Sequence, residues 1–303
     1  MAKQIISVSR RTDIPAFYAD WFMERVRSGY CTVPNPFNRN QVSRVSLKPS
    51  DVMSFVFWTR NPKPLMKYLP ELDRMGFSYY IQYTIIGYPR EIDHYSPPVE
   101  ESIQTLRELS SIIGRERVIW RYDPILLSDI TPYVWHEKQL SHLIDSLKDY
   151  TKRLVISFVD PYSRKGARLN RINGTDIRFA PDAFEPEAYR GLAEFIGRKA
   201  SEAGMEVQTC AEAADLLRYG IRKGKCIDDE LISAITGGES ALLKKDPSQR
   251  KLCGCAVSKD IGINNTCLFG CEYCYATSNI GAAEINYKKH DPASPSLIPQ
   301  TSS

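Results

Sequence analysis

Tyr79-Tyr80-Ile81-Gln82-Tyr83-Thr84-Ile85-Ile86 is followed, after Pro97 and Pro98, by Val99–Ile113 and Gly114, and then by Val118-Ile119-Trp120-Arg121. The first run is dense in aromatic and β-branched residues, which suit an extended chain buried on both faces. The middle run carries apolar residues at helical spacing, with prolines before it and a glycine behind it. The third run is again short and apolar. Strand, helix and strand in this succession make the unit of a parallel sheet.

The unit recurs in both directions. Upstream, Ile5–Ser9 reads as a strand, and Phe17–Arg27, after Pro15, as a helix closed by Gly29. Ser54–Trp58 is a second strand, and Pro62 and Pro64 open a helix that stops at Gly76. Downstream, a helix over 132–149 leads to the strand Leu154–Phe158, and a helix over 186–203, ended by Gly204, leads to the strand Glu206–Cys210. A short helix then precedes Gly220. Six strand–helix repeats predict an α/β fold with a parallel sheet covered by helices. No glycine-rich dinucleotide fingerprint follows the first strand, so a parallel (βα) barrel, complete or partial, fits better than a Rossmann sheet.

Composition bounds the function. The 303 residues are 43% hydrophobic and 25% charged, which is ordinary for a soluble globular chain. Forty basic residues face 36 acidic ones, and a net charge of +4 is too small to argue for nucleic acid by itself. No run approaches the ~18–20 apolar residues of a membrane span. Met1–Arg11 lacks a signal-peptide pattern, so the cytoplasm is the expected compartment. Of eight cysteines, seven lie between 210 and 274, which points to metal or redox chemistry rather than disulfides.

The residues at the predicted strand ends are polar. They read Ser9-Arg10-Arg11-Thr12-Asp13, Trp58-Thr59-Arg60-Asn61, Gln82-Tyr83-Thr84, Trp120-Arg121-Tyr122-Asp123, Ser157-Phe158-Val159-Asp160 and Cys210-Ala211-Glu212. A barrel concentrates its chemistry at that face; the plain alternative is that loops are polar anyway. Arg10, Arg11, Arg60 and Arg121 suit a carboxylate or phosphate, or else pair structurally with Asp13, Asp123, Asp160 or Glu212. Asp160 and Glu212 suit ribose hydroxyls as acceptors. Tyr83 and Tyr122 are donors for a substrate or, more plainly, core residues. His94, His136, His142 and His290 show no metal-ligand spacing, and His136 and His142, on a predicted helix, are expected at the surface. The basic segment Ser163–Ala180 reads as an exposed excursion that suits solvent or a phosphate.

The strongest signal is Cys267-Leu268-Phe269-Gly270-Cys271-Glu272-Tyr273-Cys274, a C-x₃-C-x₂-C spacing. Three thiolates on so short a loop suit three irons of a cubane cluster and leave the fourth iron for a small molecule. Gly270 permits the tight turn between the first two ligands, and Tyr273 is placed to shield the group. Structural zinc, the alternative, favours four ligands in paired C-x₂-C units. Cys210, Cys226, Cys253 and Cys255 make a candidate ligand set for a second cluster or a zinc ion, or are four unrelated buried thiols. Isolated Cys31 reads as a core residue. The chain thus divides into a (βα)6-type barrel over 1–220, an iron–sulfur segment over 221–290 packed on it, and a tail over 291–303 expected to be extended or disordered.

C-x₃-C-x-aromatic-C at Cys267, Cys271, Tyr273 and Cys274, with Asn265, Tyr275 and Ala276 around it, resembles the signature of the radical SAM superfamily. The resemblance implies a [4Fe–4S] cluster whose open iron is chelated by S-adenosylmethionine, cleavage to a 5′-deoxyadenosyl radical, hydrogen abstraction from a substrate, and a partial or full βα barrel. The surroundings of Cys267 also resemble those of the spore photoproduct lyases. Ile6–Pro15, Phe57–Pro62, Trp120–Pro124, Ser157–Asp160 and Cys253-Gly254-Cys255 are similar to the domain-of-unknown-function family 1848, over nearly the whole chain.

One departure from the superfamily layout is large. Its motif follows the first strand, whereas here it comes after six repeats, as in a permuted barrel with Lys259–Asn264 inserted beside the N-terminal strand. Gly237-Gly238-Glu239 resembles the superfamily's methionine contact, but follows a helix instead of a strand. The expected function is a radical SAM enzyme with Arg10, Arg60, Arg121, Asp160 and Glu212 around the cofactor. Its partners would be a reductant such as a flavodoxin or ferredoxin, a substrate for which nucleic acid is one candidate, and no membrane. The alternative is a non-catalytic iron–sulfur electron carrier or redox sensor.

Overall fold

The computed structural model describes residues 3–36, 38, 40–159, 176–180, 186–238 and 243–299. Eight strands form one sheet in the order β10-β1-β4-β5-β6-β7-β8-β9, parallel at every pairing. They are β1 (Gln4–Val8), β4 (Val52–Thr59), β5 (Tyr79–Thr84), β6 (Val118–Ile125), β7 (Arg153–Phe158), β8 (Glu206–Thr209), β9 (Ile221–Lys223) and β10 (Lys259–Asp260). The separate hairpin β2 (Tyr30–Pro34) and β3 (Val42–Ser46) is antiparallel. Seven of the eight strands run in chain order, as in a barrel. The eighth, β10, is inserted beside β1, with Ile6 opposite Lys259 and Ser7 opposite Asp260. That is the permuted position expected for the strand ahead of the cysteine loop. No ladder joins β9 to β10 among the described residues, so a closed barrel is not formed by hydrogen bonding.

The helices are α1 (Ile14–Phe17), α2 (Ala19–Ser28), α3 (Lys63–Met66), α4 (Leu69–Arg74), α5 (Val99–Ile113), α6 (Tyr133–Leu147), α7 (Arg190–Glu202), α8 (Asp229–Ile235) and α9 (Ile280–Lys288). The single helix expected between Pro62 and Gly76 is two short ones, and the start of the helix expected over 186–203 is a 3₁₀ turn, Pro186–Tyr189. Alternation along the strands sorts the sheet into two faces. Ile6, Val8, Phe55, Phe57, Tyr79, Ile81, Trp120, Tyr122, Leu154 and Ile156 pack into one large cluster with Ile103, Leu106 and Leu109 of α5 and Leu140 and Leu143 of α6. Each such buried side chain contributes about 1.5–3 kcal/mol. Ile5, Val56, Tyr80, Ile119 and Val155 face the other way, into a smaller cluster with Cys226, Ile227, Ile232, Cys253, Cys255 and Ala256. One face therefore carries the main helices, while residues 226–232 and 253–256 fill the other.

Two expectations are corrected. His136 is fully buried, not on the surface: its Nδ1 meets Tyr122 OH at 2.8 Å and its Nε2 meets the Leu126 carbonyl at 2.9 Å. Burial lowers its pKa to about 4. His142 does lie toward solvent, paired with Glu100 at 2.8 Å. The tail docks on the body over its described part. Thr32 N–H donates to the Pro295 carbonyl at 2.8 Å, Trp21 Nε1 donates to the Ser294 carbonyl at 2.9 Å, and Leu297 is buried. Most of the expected excursion Ser163–Ala180 lies outside the described residues; at its end, Ala180 N–H donates to the Leu127 carbonyl at 3.1 Å. No described helix is long and apolar enough to cross a membrane.

Candidate functional site

A cavity of about 400 Å³ opens at the C-terminal ends of the strands. Its wall takes Ser9 to Asp13 after β1, Trp58 to Arg60 at β4, Thr84 of β5, Arg121 and Asp123 of β6, Ser157 of β7 and Cys210 to Glu212 after β8. The inward-facing parity of the strands and the polar strand ends thus converge on one space. Cys210, Cys226, Cys253, Cys255, Cys267, Cys271 and Cys274 all line it, and none is disulfide-bonded. Cys31, the eighth cysteine, is in the core.

The loop from Cys267 to Cys274 is fixed at both ends. Asn265 has φ of +59°, a left-handed backbone that asparagine tolerates better than most residues. Its N–H donates to the Ala276 carbonyl at 2.9 Å, so the loop closes on itself. Thr12 and Thr266 share a hydrogen bond, and Tyr18 OH donates to the Thr266 carbonyl at 2.7 Å. Gly270 turns the chain at φ of +65°, as its place between two cysteines predicts. The loop also pairs with the segment after β5: Glu272 N–H donates to the Ile92 carbonyl at 3.0 Å, and Tyr95 N–H to the Phe269 carbonyl at 3.2 Å.

Each thiol of the loop has a positive partner. Backbone N–H groups of Phe269 and Asp13 point at Cys267, the Arg60 guanidinium lies near Cys271, and Thr277 N–H donates to Cys274 Sγ at 3.3 Å. Burial still dominates at Cys267, pushing its thiol up to about 12, with Asp13 and Cys274 adding to the rise. Such thiols are neutral unless a cation takes the proton's place. Arg60 is held by Asp93 at 2.6 Å, by Ser96 Oγ at 3.1 Å and by Tyr273 OH. Burial disfavours its charge, but Asp93, Cys271 and Tyr273 more than restore it. Tyr273 therefore buttresses this ion pair.

Asp13 caps α1 by accepting from Ala16 N–H at 3.0 Å and also accepts from Arg60 N–H at 2.6 Å; burial raises its pKa to about 7. Asp260, at the end of β10, is a hub. It accepts from Ser7 Oγ at 2.7 Å, Ser9 Oγ at 2.6 Å, Arg10 N–H at 2.8 Å and Arg11 Nε at 3.1 Å. These bonds fasten the inserted strand to β1 and outweigh burial, so its pKa is lowered.

The other four thiols form a chain of contacts. Cys210 Sγ lies 3.1 Å from Cys226 Sγ, Cys226 meets Cys255, and Cys255 meets Cys253. Arg121 Nη1 donates to Cys226 Sγ at 3.0 Å and to Gln82 Oε1 at 2.6 Å, while its Nε donates to Asp123 at 3.0 Å. The neighbouring thiols Cys210 and Cys255, with Arg121, make Cys226 the member that most readily becomes a thiolate. Among the described residues no three His, Cys, Asp or Glu side chains are grouped so as to hold a single metal ion.

The cavity brings together Arg10, Arg60, Arg121 and Glu212 of the expected cofactor residues; Asp160 lies outside the described residues. Arg10 stacks over Trp58 at 5.3 Å, and its Nη2 is buried without a hydrogen-bond partner. Arg11 pairs with Asp260 and Arg121 with Asp123, whereas Arg60 takes Asp93, a partner not foreseen. Tyr83 and Tyr122 belong to the helix-covered core. Gly237 and Gly238 follow α8 away from the cavity wall, and Glu239 lies outside the described residues. Sequence reasoning missed Asp93 and Asp260. Asp260 had a signal, since it ends the strand ahead of the motif as the other polar residues end theirs.

No curated protein matches the chain. Among solved structures, a protein of Bacteroides thetaiotaomicron assigned as an alpha-L-fucosidase is 9% identical, with a TM-score of 0.30 over 80% of this chain and 85% of that one. A short-chain type dehydrogenase/reductase of Mycobacterium marinum is 6% identical, with a TM-score of 0.27 over 69% and 73%. Neither likeness is strong enough to argue from. The family model described as Domain of unknown function (DUF1848) matches residues 5–276, and the chain belongs to that family.

Proposed function

We propose that this chain is an iron–sulfur enzyme of the radical SAM type, with Cys267, Cys271 and Cys274 as ligands of a [4Fe–4S] cluster. The observation that carries the reading is the meeting of this loop with the polar strand ends around one cavity. The donor set fits. A mononuclear ion needs its ligands around one point, whereas a cubane takes one thiolate per iron around a void. Hydrogen bonds to Cys267 and Cys274 and the Arg60 charge beside Cys271 would meet the negative charge that such a cluster places on their sulfurs, while burial keeps the Cys267 and Cys271 thiols protonated until iron displaces the proton. When bound and reduced, the cluster would supply the electron that cleaves the sulfonium of S-adenosylmethionine to give the 5′-deoxyadenosyl radical.

The chain's own residues would position the partners of that chemistry. Arg10 presents a buried donor with no acceptor, suited to a carboxylate or phosphate. Glu212, after β8 near the other end of the strand order, accepts from Phe158 N–H at 2.8 Å and suits ribose hydroxyls. Phe269, Trp58 and Tyr275 supply apolar wall that limits water. The substrate is an anionic or hydroxyl-bearing molecule that fits this wall, with nucleic acid among the candidates, and a flavodoxin or ferredoxin would supply electrons.

The test is anaerobic reconstitution, reduction and addition of S-adenosylmethionine, with 5′-deoxyadenosine assayed by mass spectrometry. Product above a Cys267→Ala control supports the reading. Iron and sulfide without product, across a panel of nucleoside and nucleic-acid substrates, would turn it toward an electron carrier or redox sensor.

A further inference from the structure

We infer that Cys210, Cys226, Cys253 and Cys255 form a second iron–sulfur site, with a full set of four thiolate ligands, on the same cavity. This goes beyond the function proposed above, which concerns only the thiols of the 267–274 loop. The four come from three separated places: the end of β8, the residue three beyond β9, and the Cys253-Gly254-Cys255 turn. Chance burial of unrelated thiols would not bring them into one unbroken chain of contacts, with Cys210 and Cys226 only 3.1 Å apart and unbonded.

The backbone is shaped to make that meeting. Gly224 N–H donates to the Thr209 carbonyl at 2.9 Å, and a Cβ at Gly224 would lie 2.5 Å from Gln208 Oε1 and 2.7 Å from Gln208 Cβ. Only glycine allows this approach, which lays the chain into Cys226 against β8. Gly254, between the other two cysteines, packs on the same segment: its Cβ would lie 3.3 Å from Lys225 Cγ and 3.5 Å from the Gly224 carbonyl. Ala211, next to Cys210, has φ of +57°, a strained conformation for alanine of the kind that collects at functional sites. The Cys226 carbonyl is fixed by Gln82 Nε2 at 2.8 Å and by Tyr80 OH. Ile227 N–H donates to Cys255 Sγ at 3.3 Å.

Charge complements the assignment. A cubane held by four thiolates is anionic, and a buried anion needs cations beside it. Arg121 donates directly to Cys226, and the Arg10 guanidinium faces Cys226 and Cys255 with one nitrogen unpartnered. Hydrogen bonds to the sulfurs are also the usual means by which a protein tunes such a cluster's potential. With all four irons ligated by the chain, this site would exchange electrons and leave substrate binding to the other.

The test is iron, zinc and sulfide content of the full-length chain after anaerobic reconstitution. Wild type is expected to hold about eight irons, and Cys253→Ala/Cys255→Ala about four. The triple variant Cys267→Ala/Cys271→Ala/Cys274→Ala is expected to keep about four irons and a reduced-state electron paramagnetic resonance signal indifferent to S-adenosylmethionine. Wild type at about four irons falling to none in the triple variant would overturn the second site and leave the first intact. Zinc in the triple variant, or a Cys210–Cys226 disulfide found by mass spectrometry of the reconstituted wild type, would also overturn it. Wild type at about four irons falling to none in Cys253→Ala/Cys255→Ala would support this site and count against the other. Should the triple variant not match wild type in circular dichroism, the Cys253→Ala/Cys255→Ala comparison decides.

Discussion

The two faces of the sheet are built by different means. The helix-covered face is held by a large apolar cluster around Trp120, Phe55 and Leu106, in regular elements. Among the described residues, the cavity face carries little regular structure between β9 and α9 apart from the short α8 and β10. Besides a smaller apolar cluster around Val56, Ile119 and Ile232, it is held by directed contacts: Asp260 to Ser7, Ser9 and Arg11, Arg60 to Asp93, and Arg121 to Gln82, Asp123 and Cys226. Apolar burial is non-directional and tolerant, whereas hydrogen bonds and ion pairs fix groups in place. Substitutions on the first face should therefore alter stability, and those on the second should alter what the cavity binds.

The largest separation is expected at the thiols. Cys271→Ala should cut iron-dependent 5′-deoxyadenosine formation by more than about 100-fold, since even loss of an outer partner costs a metal site about 10–100-fold. Its thermal midpoint before loading of iron should stay close to that of wild type. Trp120→Ala should do the reverse. It removes a fully buried indole that donates to the Ile85 carbonyl at 3.0 Å, at a cost of about 3–5 kcal/mol in urea unfolding. Iron bound per folded chain should be unchanged.

His136 sharpens the comparison through pH. Buried and neutral, its folded pKa lies at about 4, below the ordinary value. The unfolded chain therefore takes the proton first. The contribution of neutral His136 is fully present above pH ~6.5, is lost as pH falls, and levels off below the folded value. The full loss is about 3 kcal/mol. Urea unfolding of wild type between pH 7.5 and pH 4 should show this slope, and His136→Gln should flatten it. The smallest effect is expected from Tyr273→Phe. It removes the hydroxyl that bonds Arg60 and Asp93 and costs about 1 kcal/mol, yet should shift the midpoint of a redox titration of the loaded protein.

The same contrast decides what the sequence discloses. Short apolar runs such as Tyr79–Thr84 announce central strands because burial on both faces demands that composition. The hairpin β2–β3 was not visible: Tyr30–Pro34 ends on proline, and Val42–Ser46 is largely polar. The three residues of β9 are too few to carry a pattern. His136 had a signal, since it shares a helical face with Leu140, Leu143 and Leu147 and is buried as they are. On the cavity face, residue types at strand ends pointed to Arg10, Arg60, Arg121 and Glu212, and spacing singled out the cysteine loop. The partners did not follow. Arg60 and Asp93 are separated by two helices and a strand, and nothing local requires that they meet. The tail is rich in proline and serine and shows no periodicity, and its docking rests on backbone carbonyls that every residue has and on the single buried Leu297.

The most direct test of the central claim is electron paramagnetic resonance of the anaerobically reconstituted, dithionite-reduced protein, with and without S-adenosylmethionine. A cluster on Cys267, Cys271 and Cys274 with an open iron predicts a low-temperature signal component whose g values and line shape change when S-adenosylmethionine is added; Cys271→Ala loses that responsive component and keeps at most the indifferent signal of the second site. A protein that binds no iron, or whose wild-type signal is untouched by S-adenosylmethionine and no different from that of Cys271→Ala, would contradict it.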